Sequence, residues 1–250
     1  MTDLRNKVAL ITGSARGIGK AIALRYAALG ANIVVNYSGD PSNAAQTVAE
    51  LEALGIQTIA VRADMAKVDE IERLYQTSLD RFGKIDIVVA NAGLEIIQQS
   101  MLDATESDFD RLFAINTKGT FFTLQRAARY VADNGRIINI GSSTTNGALP
   151  GAGLYGSSKS AAKYLVGVLA LELAHRGVTV NTILPTTVDG AGVFTDLAQD
   201  DPVREQIGAL RMGLRMGRPE DVADAAEYLA GELAAFVNGQ SLLLSGGPVF

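Results

Sequence analysis

Thr12-Gly13-Ser14-Ala15-Arg16-Gly17-Ile18-Gly19 stands between a short apolar run, Val8–Thr12, and an amphipathic segment, Gly17–Leu29. Three glycines in that stretch let the chain turn sharply from a strand into a helix. A helix beginning there presents unpaired N–H groups and the positive end of its dipole to an anion, and the missing side chains let a pyrophosphate come close. The spacing is G-x-x-x-G-x-G, not the G-x-G-x-x-G of the older dinucleotide fingerprint. A chain with 26 glycines produces such triplets by accident, so the turn takes its weight from its place between strand and helix.

Outward from the turn the same alternation continues. Strands are predicted at Val8–Thr12, Asn32–Tyr37, Gln57–Arg62, Ile85–Ala90, Arg136–Ile140, Val178–Leu184 and Ser241–Leu244, and helices at Gly17–Leu29, Ser42–Leu54, Val68–Arg81, Thr105–Val131, Tyr155–Arg176 and Pro219–Ala230. Short apolar runs separated by longer amphipathic segments read as a parallel sheet with helices on both faces. The fold class is therefore α/β, a Rossmann-type doubly wound sheet of about seven strands flanked by helices, in a single domain over residues 1–250. Residues 186–218 break the alternation: Gly and Pro punctuate them, yet they carry Val193, Phe194, Leu197, Ile207, Leu210, Met212, Leu214 and Met216. That stretch reads as a mobile lid of short helices over a pocket, or else as an ordinary helix covering a sheet edge.

The composition narrows the chemistry. Hydrophobic residues make up 48% and charged residues 20% of the 250, with a net charge of −5, which suits a globular protein with a large core and argues against a nucleic-acid surface. Cysteine is absent and His175 is the only histidine, so disulfides and most acid/base and metal constellations are unavailable. The opening residues lack the order of a signal peptide and no run is long enough to span a bilayer; a cytoplasmic protein without a membrane partner is expected. His175, beside Arg176 and Gly177 at a helix end, reads as surface.

Tyr155 and Lys159 are the one Tyr-x-x-x-Lys pair among seven tyrosines. Four residues apart on a helix, they share a face, and an ammonium there favours the ionised phenol. A phenol with an ordinary pKa of about 10 would become a usable acid or base nearer neutrality. Ser142 and Asn116 lie upstream, and the combination points to carbonyl–alcohol redox chemistry. Ser160-Ala161-Ala162-Lys163 fits a hydrolase Ser-x-x-Lys pattern, but its companion motifs are missing.

Taken together, Thr12-Gly13-x-x-x-Gly17-Ile18-Gly19, Asp64, Asn91-Ala92-Gly93, Asn116, Ser142, Tyr155-x-x-x-Lys159 and Asn181-x-x-x-Pro185 occur in an order that resembles the classical short-chain dehydrogenase/reductase family over nearly the whole chain, in the manner of 3-oxoacyl-acyl-carrier-protein reductases. The resemblance implies Asn116, Ser142, Tyr155 and Lys159 as catalytic residues. Tyr155 would donate the proton and Ser142, thirteen places before it and preferred over Ser143, would steady the developing alkoxide. Lys159 would lower the phenol pKa and hold the nicotinamide ribose, while Asn116 would hold a relay water; no metal is implied. It also implies cofactor contacts from Gly13, Ser14, Arg16, Gly17, Ile18, Gly19, Tyr37, Ser38, Asp64, Met65, Asn91, Ala92, Gly93, Tyr155, Lys159, Pro185 and Val188. The usual glycine after Pro185 is replaced by Thr186, which weakens the case for Val188.

The second strand ends Val35-Asn36-Tyr37-Ser38 without an acid that would bind the ribose of NAD and repel the extra phosphate of NADP. Arg16 in the turn can grip that phosphate, so NADP(H) is expected in preference to NAD(H); a solvated Arg16 and a core-filling Tyr37 are the alternative. The expected function is NADPH-dependent reduction of a small-molecule ketone, moderately hydrophobic and with few charges, to a secondary alcohol. Its rivals are an NAD-linked alcohol dehydrogenase working in oxidation and a catalytically silent dinucleotide sensor. A homotetramer is the assembly the resemblance implies.

Overall fold

The computed structural model describes residues 2–198, 200–209 and 211–247. Leu210, named above among the apolar lid residues, lies outside the described residues. Seven strands, β1 (Val8–Ile11), β2 (Asn32–Tyr37), β3 (Thr58–Arg62), β4 (Ile87–Ala90), β5 (Arg136–Ile140), β6 (Thr179–Pro185) and β7 (Ser241–Leu244), form one sheet in the order β3-β2-β1-β4-β5-β6-β7. Every pairing is parallel. The predicted doubly wound α/β sheet is thus the observed one.

Side chains alternate across a strand, and in this sheet both faces are covered. Ala9 and Ile11 of β1, Ile33 and Val35 of β2, and Ile87 and Val89 of β4 pack on one side with α1 (Gly17–Ala28), α2 (Pro41–Glu52) and α8 (Pro219–Ala230). Val8, Leu10, Val34 and Val88 face the other way, into α3 (Val68–Phe82), α5 (Thr120–Tyr130) and α6 (Gly153–Glu172). That is why β1 and β4 read as unbroken apolar runs. Two buried tyrosines join helix to helix by their hydroxyls: Tyr26 donates to the Ala226 carbonyl at 2.9 Å and Tyr75 to the Thr123 carbonyl at 2.8 Å, as a buried phenol requires.

The helix predicted over Thr105–Val131 differs in one respect. It runs as α4 (Glu106–Phe113), a π-helical turn over Ala114–Gly119, and α5. Gly119 packs so closely on the Met65 carbonyl that a Cβ has no room there, and the widened turn, a form common at functional positions, carries Asn116. The Tyr155 helix begins two residues early, at Gly153, and ends at Glu172, with a 3-10 turn over Ala174–Arg176. His175 is exposed there, as expected.

Residues 186–218 contain 3-10 turns at Gly192–Phe194 and Met212–Leu214 and the short α7 (Pro202–Gly208). Arg204 pins the segment to itself, pairing with Asp189 and donating to the Leu197 carbonyl at 2.7 Å and the Ala198 carbonyl at 2.6 Å. No helix among the described residues is long and apolar enough to cross a membrane.

Candidate active site

Strand order reverses between β1 and β4, and open α/β sheets bind ligands at the carboxyl ends of such strands. A cleft of about 780 Å³ lies there, bordered at one end by Gly13, Arg16 and Gly17 and at the other by Ser142, Tyr155 and Lys159.

The glycine turn is braced from behind. Asn36 at the end of β2 accepts from Gly13 N at 2.9 Å and donates to the Val61 and Ala63 carbonyls at 3.3 and 3.0 Å. Ser14 is fully buried; its hydroxyl donates to the Ile11 carbonyl at 2.7 Å and accepts from Asn36 N at 3.1 Å. Asn91 Nδ2 reaches the Thr12 and Gly13 carbonyls at 2.9 and 3.1 Å, while Thr12 Oγ1 accepts from Asn91 N and Ala92 N, both at 3.0 Å. The side chains of Ser14 and Asn91, expected as ligand contacts, therefore hold the turn itself.

Gly19 shows how tight this bracing is. A Cβ there would lie 2.5 Å from the Gly13 carbonyl and 2.6 Å from Asn91 Nδ2. Glycine to alanine inside a helix ordinarily stabilises by about 1 kcal/mol; here overpacking against backbone reverses the sign. Gly19→Ala is expected to cost roughly 1–3 kcal/mol and to weaken dinucleotide binding. A thermal melt of the variant checks it, and an unchanged or raised Tm would contradict the packing.

At the outer end Arg16, Tyr37, Ser38, Asp64 and Met65 line the cleft as the sequence implied. Arg16 is exposed, and no group among the described residues hydrogen-bonds or ion-pairs with its guanidinium. Tyr37 both lines the cleft and packs on the core. Asp64 has two duties as well, since its Oδ1 accepts from Ala66 N at 2.9 Å. The strand-end reading passed over Asp40, which also borders the cleft. Its carboxylate caps α2, accepting from Ser42 N at 2.9 Å and Ser42 Oγ at 2.8 Å, and those bonds hold it below the usual carboxylate range.

At the inner end Ser142, Tyr155 and Lys159 are 7%, 8% and 6% exposed, and all three line the same cavity. Ser142 Oγ accepts from Thr144 N at 3.3 Å and from Thr144 Oγ1 at 2.9 Å, which leaves its own proton to point elsewhere. Ser143 borders the cleft too but is less buried than Ser142, and Ser142 is the one that draws the Tyr155 pKa down.

The expected depression of that phenol by Lys159 is not what the structure shows. Burial pushes Tyr155 up, the Glu95 charge adds to the rise, and only Ser142 opposes it. Burial likewise pushes Lys159 down, to about 8, with Glu95 opposing. Desolvation favours the uncharged form of each. The Lys159 amine sits 6.0 Å from the Tyr155 ring centre and donates to the Ile140 carbonyl at 3.4 Å.

Asn116 is fully buried. Its Oδ1 accepts from Leu94 N at 2.8 Å, and its Nδ2 donates to the Leu94 carbonyl at 2.8 Å and Ser158 Oγ at 3.0 Å. The side chain ties the chain after β4 to α6, which makes it a positioning group. Pro185 and Val188 line the cleft; Val188 is held by a bridge to Gly217. Between them Thr187, missed in the sequence, lines the cleft with a buried hydroxyl that has no partner among the described residues. By contrast the Ser160/Lys163 pair is spent on the Gly156 carbonyl at 2.8 Å and the Thr145 carbonyl at 3.1 Å.

This arrangement fits a dinucleotide: a glycine turn opening a helix N-terminus, an exposed guanidinium outside and a buried hydroxyl within, neither of them partnered among the described residues. A family model described as enoyl-(acyl carrier protein) reductase matches residues 13–248. A hydroxynaphthalene reductase-like protein, Arp2, of Metarhizium brunneum is 38% identical, with 99% of this chain and 96% of the relative covered. Among solved structures, the reductase LugOII, which catalyses keto-reduction at C1 in lugdunomycin biosynthesis, has a TM-score of 0.90 at 35% identity, covering 98% of this chain and 99% of its own. The angucycline C-6 ketoreductase LanV with bound NADP has a TM-score of 0.90 at 33% identity, covering 98% and 96%.

Proposed function

Since the chain belongs to the classical short-chain dehydrogenase/reductase family, we propose that it reduces a ketone to a secondary alcohol with NADPH as hydride donor and Tyr155 as proton donor. The observation that carries this reading is the convergence of Ser142, Tyr155 and Lys159 on a cleft continuous with the glycine turn. When bound, the cofactor supplies hydride to the carbonyl carbon. The residues of the chain manage the proton. As charge gathers on the carbonyl oxygen, the Ser142 hydroxyl donates to it and Tyr155 gives up its proton. Lys159, with a pKa near 8, is poised to resupply that proton close to neutral pH. Asn116 keeps the loop after β4 and α6 in register around these groups.

The ketoreductase activities of LugOII and LanV support carbonyl reduction, and Leu94, Ile97, Leu149 and Phe194 on the cleft wall support a moderately hydrophobic ketone. The segment over residues 186–218 acts as the lid of this site, since Gly190, Gly192, Phe194 and Thr195 border the cleft. A panel of ketones, β-keto esters and 3-oxoacyl thioesters with NADPH tests the reading. Tight NADPH binding without turnover of any of them would leave a silent nucleotide sensor in its place.

NADP(H) is the proposed cofactor, with NAD(H) the alternative. Its support is the exposed Arg16 guanidinium, without a partner among the described residues, at the cleft's outer end, and the NADP bound to LanV. Asp40 works against it, but its oxygens face Ser42. Arg16→Ala is expected to lower kcat/KM for NADPH roughly tenfold or more, the scale of a lost charged hydrogen bond, and to leave NADH little changed. Initial rates with both nucleotides decide it: an equal loss on each would remove Arg16 from phosphate recognition.

A further inference from the structure

Among the described residues, Glu95 is the carboxylate whose charge reaches both Tyr155 and Lys159. It follows Asn91-Ala92-Gly93 beyond β4 and lines the same cleft. Its Oε2 accepts from Val193 N at 3.0 Å, and it sits so close to Gly192 that a Cβ has no room there. Its other oxygen has no hydrogen-bond partner, and no ion pair neutralises it, among the described residues. The carboxylate is thereby fixed in place, half-buried, between the loop after β4 and the segment covering the cleft. Arg211 also borders the cleft and keeps its charge, since its guanidinium donates only to the neutral Ser245 carbonyl at 3.1 Å, but the charge that bears on Tyr155 and Lys159 is that of Glu95.

We propose that Glu95 is a specificity-determining residue that turns away ketones with an anionic group beside the carbonyl and admits their neutral esters. The inference rests on the ketone-reductase reading above. A substrate must bring its carbonyl oxygen to Tyr155 and Ser142, and a carboxylate on the neighbouring carbons would then share a confined, partly desolvated space with Glu95. Like charges in such a setting repel far more than in water, because the effective dielectric is lower. A hydroxyl or ester in the same place meets no such repulsion, and a hydroxyl can donate to the unpartnered oxygen.

The test compares acetoacetate with ethyl acetoacetate, with NADPH, in the wild-type protein and in Glu95→Gln. Glutamine keeps the volume and an oxygen for Val193 N, so it removes charge while retaining the strut. The wild type is expected to favour the ester, and the variant to shrink the ester-to-acid ratio of kcat/KM by about tenfold or more, through a gain on the acid. An unchanged ratio overturns the proposal, and so does an equal loss on both substrates, which would mark Glu95 as a strut alone. If neither ketone turns over in the wild type, the reductase reading is in question for this pair, and charge selection is read instead from Kd of 3-hydroxybutyrate and its ethyl ester by calorimetry with NADP present. The same shift in ratio then supports it, and an unchanged ratio overturns it.

Discussion

Replacing Tyr155 by Phe is expected to lower kcat for ketone reduction by roughly 1,000-fold, the scale of a lost general acid, while NADPH still binds. The side chain is 8% exposed and packs with Leu112 and Leu154, contacts that a phenylalanine ring keeps. Ser142 loses its interaction with the phenol but its oxygen keeps both bonds from Thr144, so the fold is expected to hold. What disappears is the proton that the proposed mechanism transfers to the substrate oxygen, while the Ser142 hydroxyl remains to donate a hydrogen bond to it. Burial keeps the phenol protonated at neutral pH, which is the form a proton donor needs and suits the reductive direction. Ketone turnover under saturating NADPH, alongside the nucleotide Kd from fluorescence, separates chemistry from binding. Retention of more than about a tenth of the wild-type kcat would show that the proton comes from elsewhere.

Residues whose identity is dictated by backbone geometry were readable before the fold was known. Gly13 at φ +63 and Gly19 against the Gly13 carbonyl admit no side chain without strain, and their spacing announces the turn. The strands were readable for a similar reason: a sheet covered on both faces leaves no polar position along β1 or β4. The resemblance singled out Asn116 but not its geometry, because a helix pattern resumes at Phe121 after the polar stretch Asn116–Thr120 and nothing in it announces a π turn. The π turn ends at Gly119, which packs on the Met65 carbonyl, a contact between segments far apart in the chain that no local pattern records. Electrostatics were least legible. The Tyr155–Lys159 spacing puts both on one helix face but says nothing of burial, and burial moves both groups toward neutrality. Thr187 and Asp40 escaped notice because neither belongs to a motif; only the folded cleft brings them to its wall.

Lys159→Met is expected to make the protein more stable and catalytically inert. The lysine is 6% exposed, and its amine has one long bond, to the Ile140 carbonyl at 3.4 Å, so its charge is poorly compensated. Folding moves its pKa from 10.5 to about 8, which at 1.36 kcal/mol per unit amounts to a destabilisation on the order of 3 kcal/mol. The sign follows from proton counts. Below pH 8 the amine is protonated in both states and the folded protein bears the full cost; between 8 and 10.5 the unfolded chain binds the extra proton, so stability climbs with pH. Above that window both forms are neutral and the cost is gone. Methionine, of similar length and uncharged, removes the cost at every pH, so its advantage should be largest below pH 8 and vanish by 10.5. Urea denaturation of the two proteins across that window measures the difference, and ketone turnover should fall by roughly 100-fold or more as the proton supply is lost. A methionine variant less stable than the wild type at neutral pH would mean that the ammonium is well solvated where it sits. The proton relay assigned to it would then lose its basis.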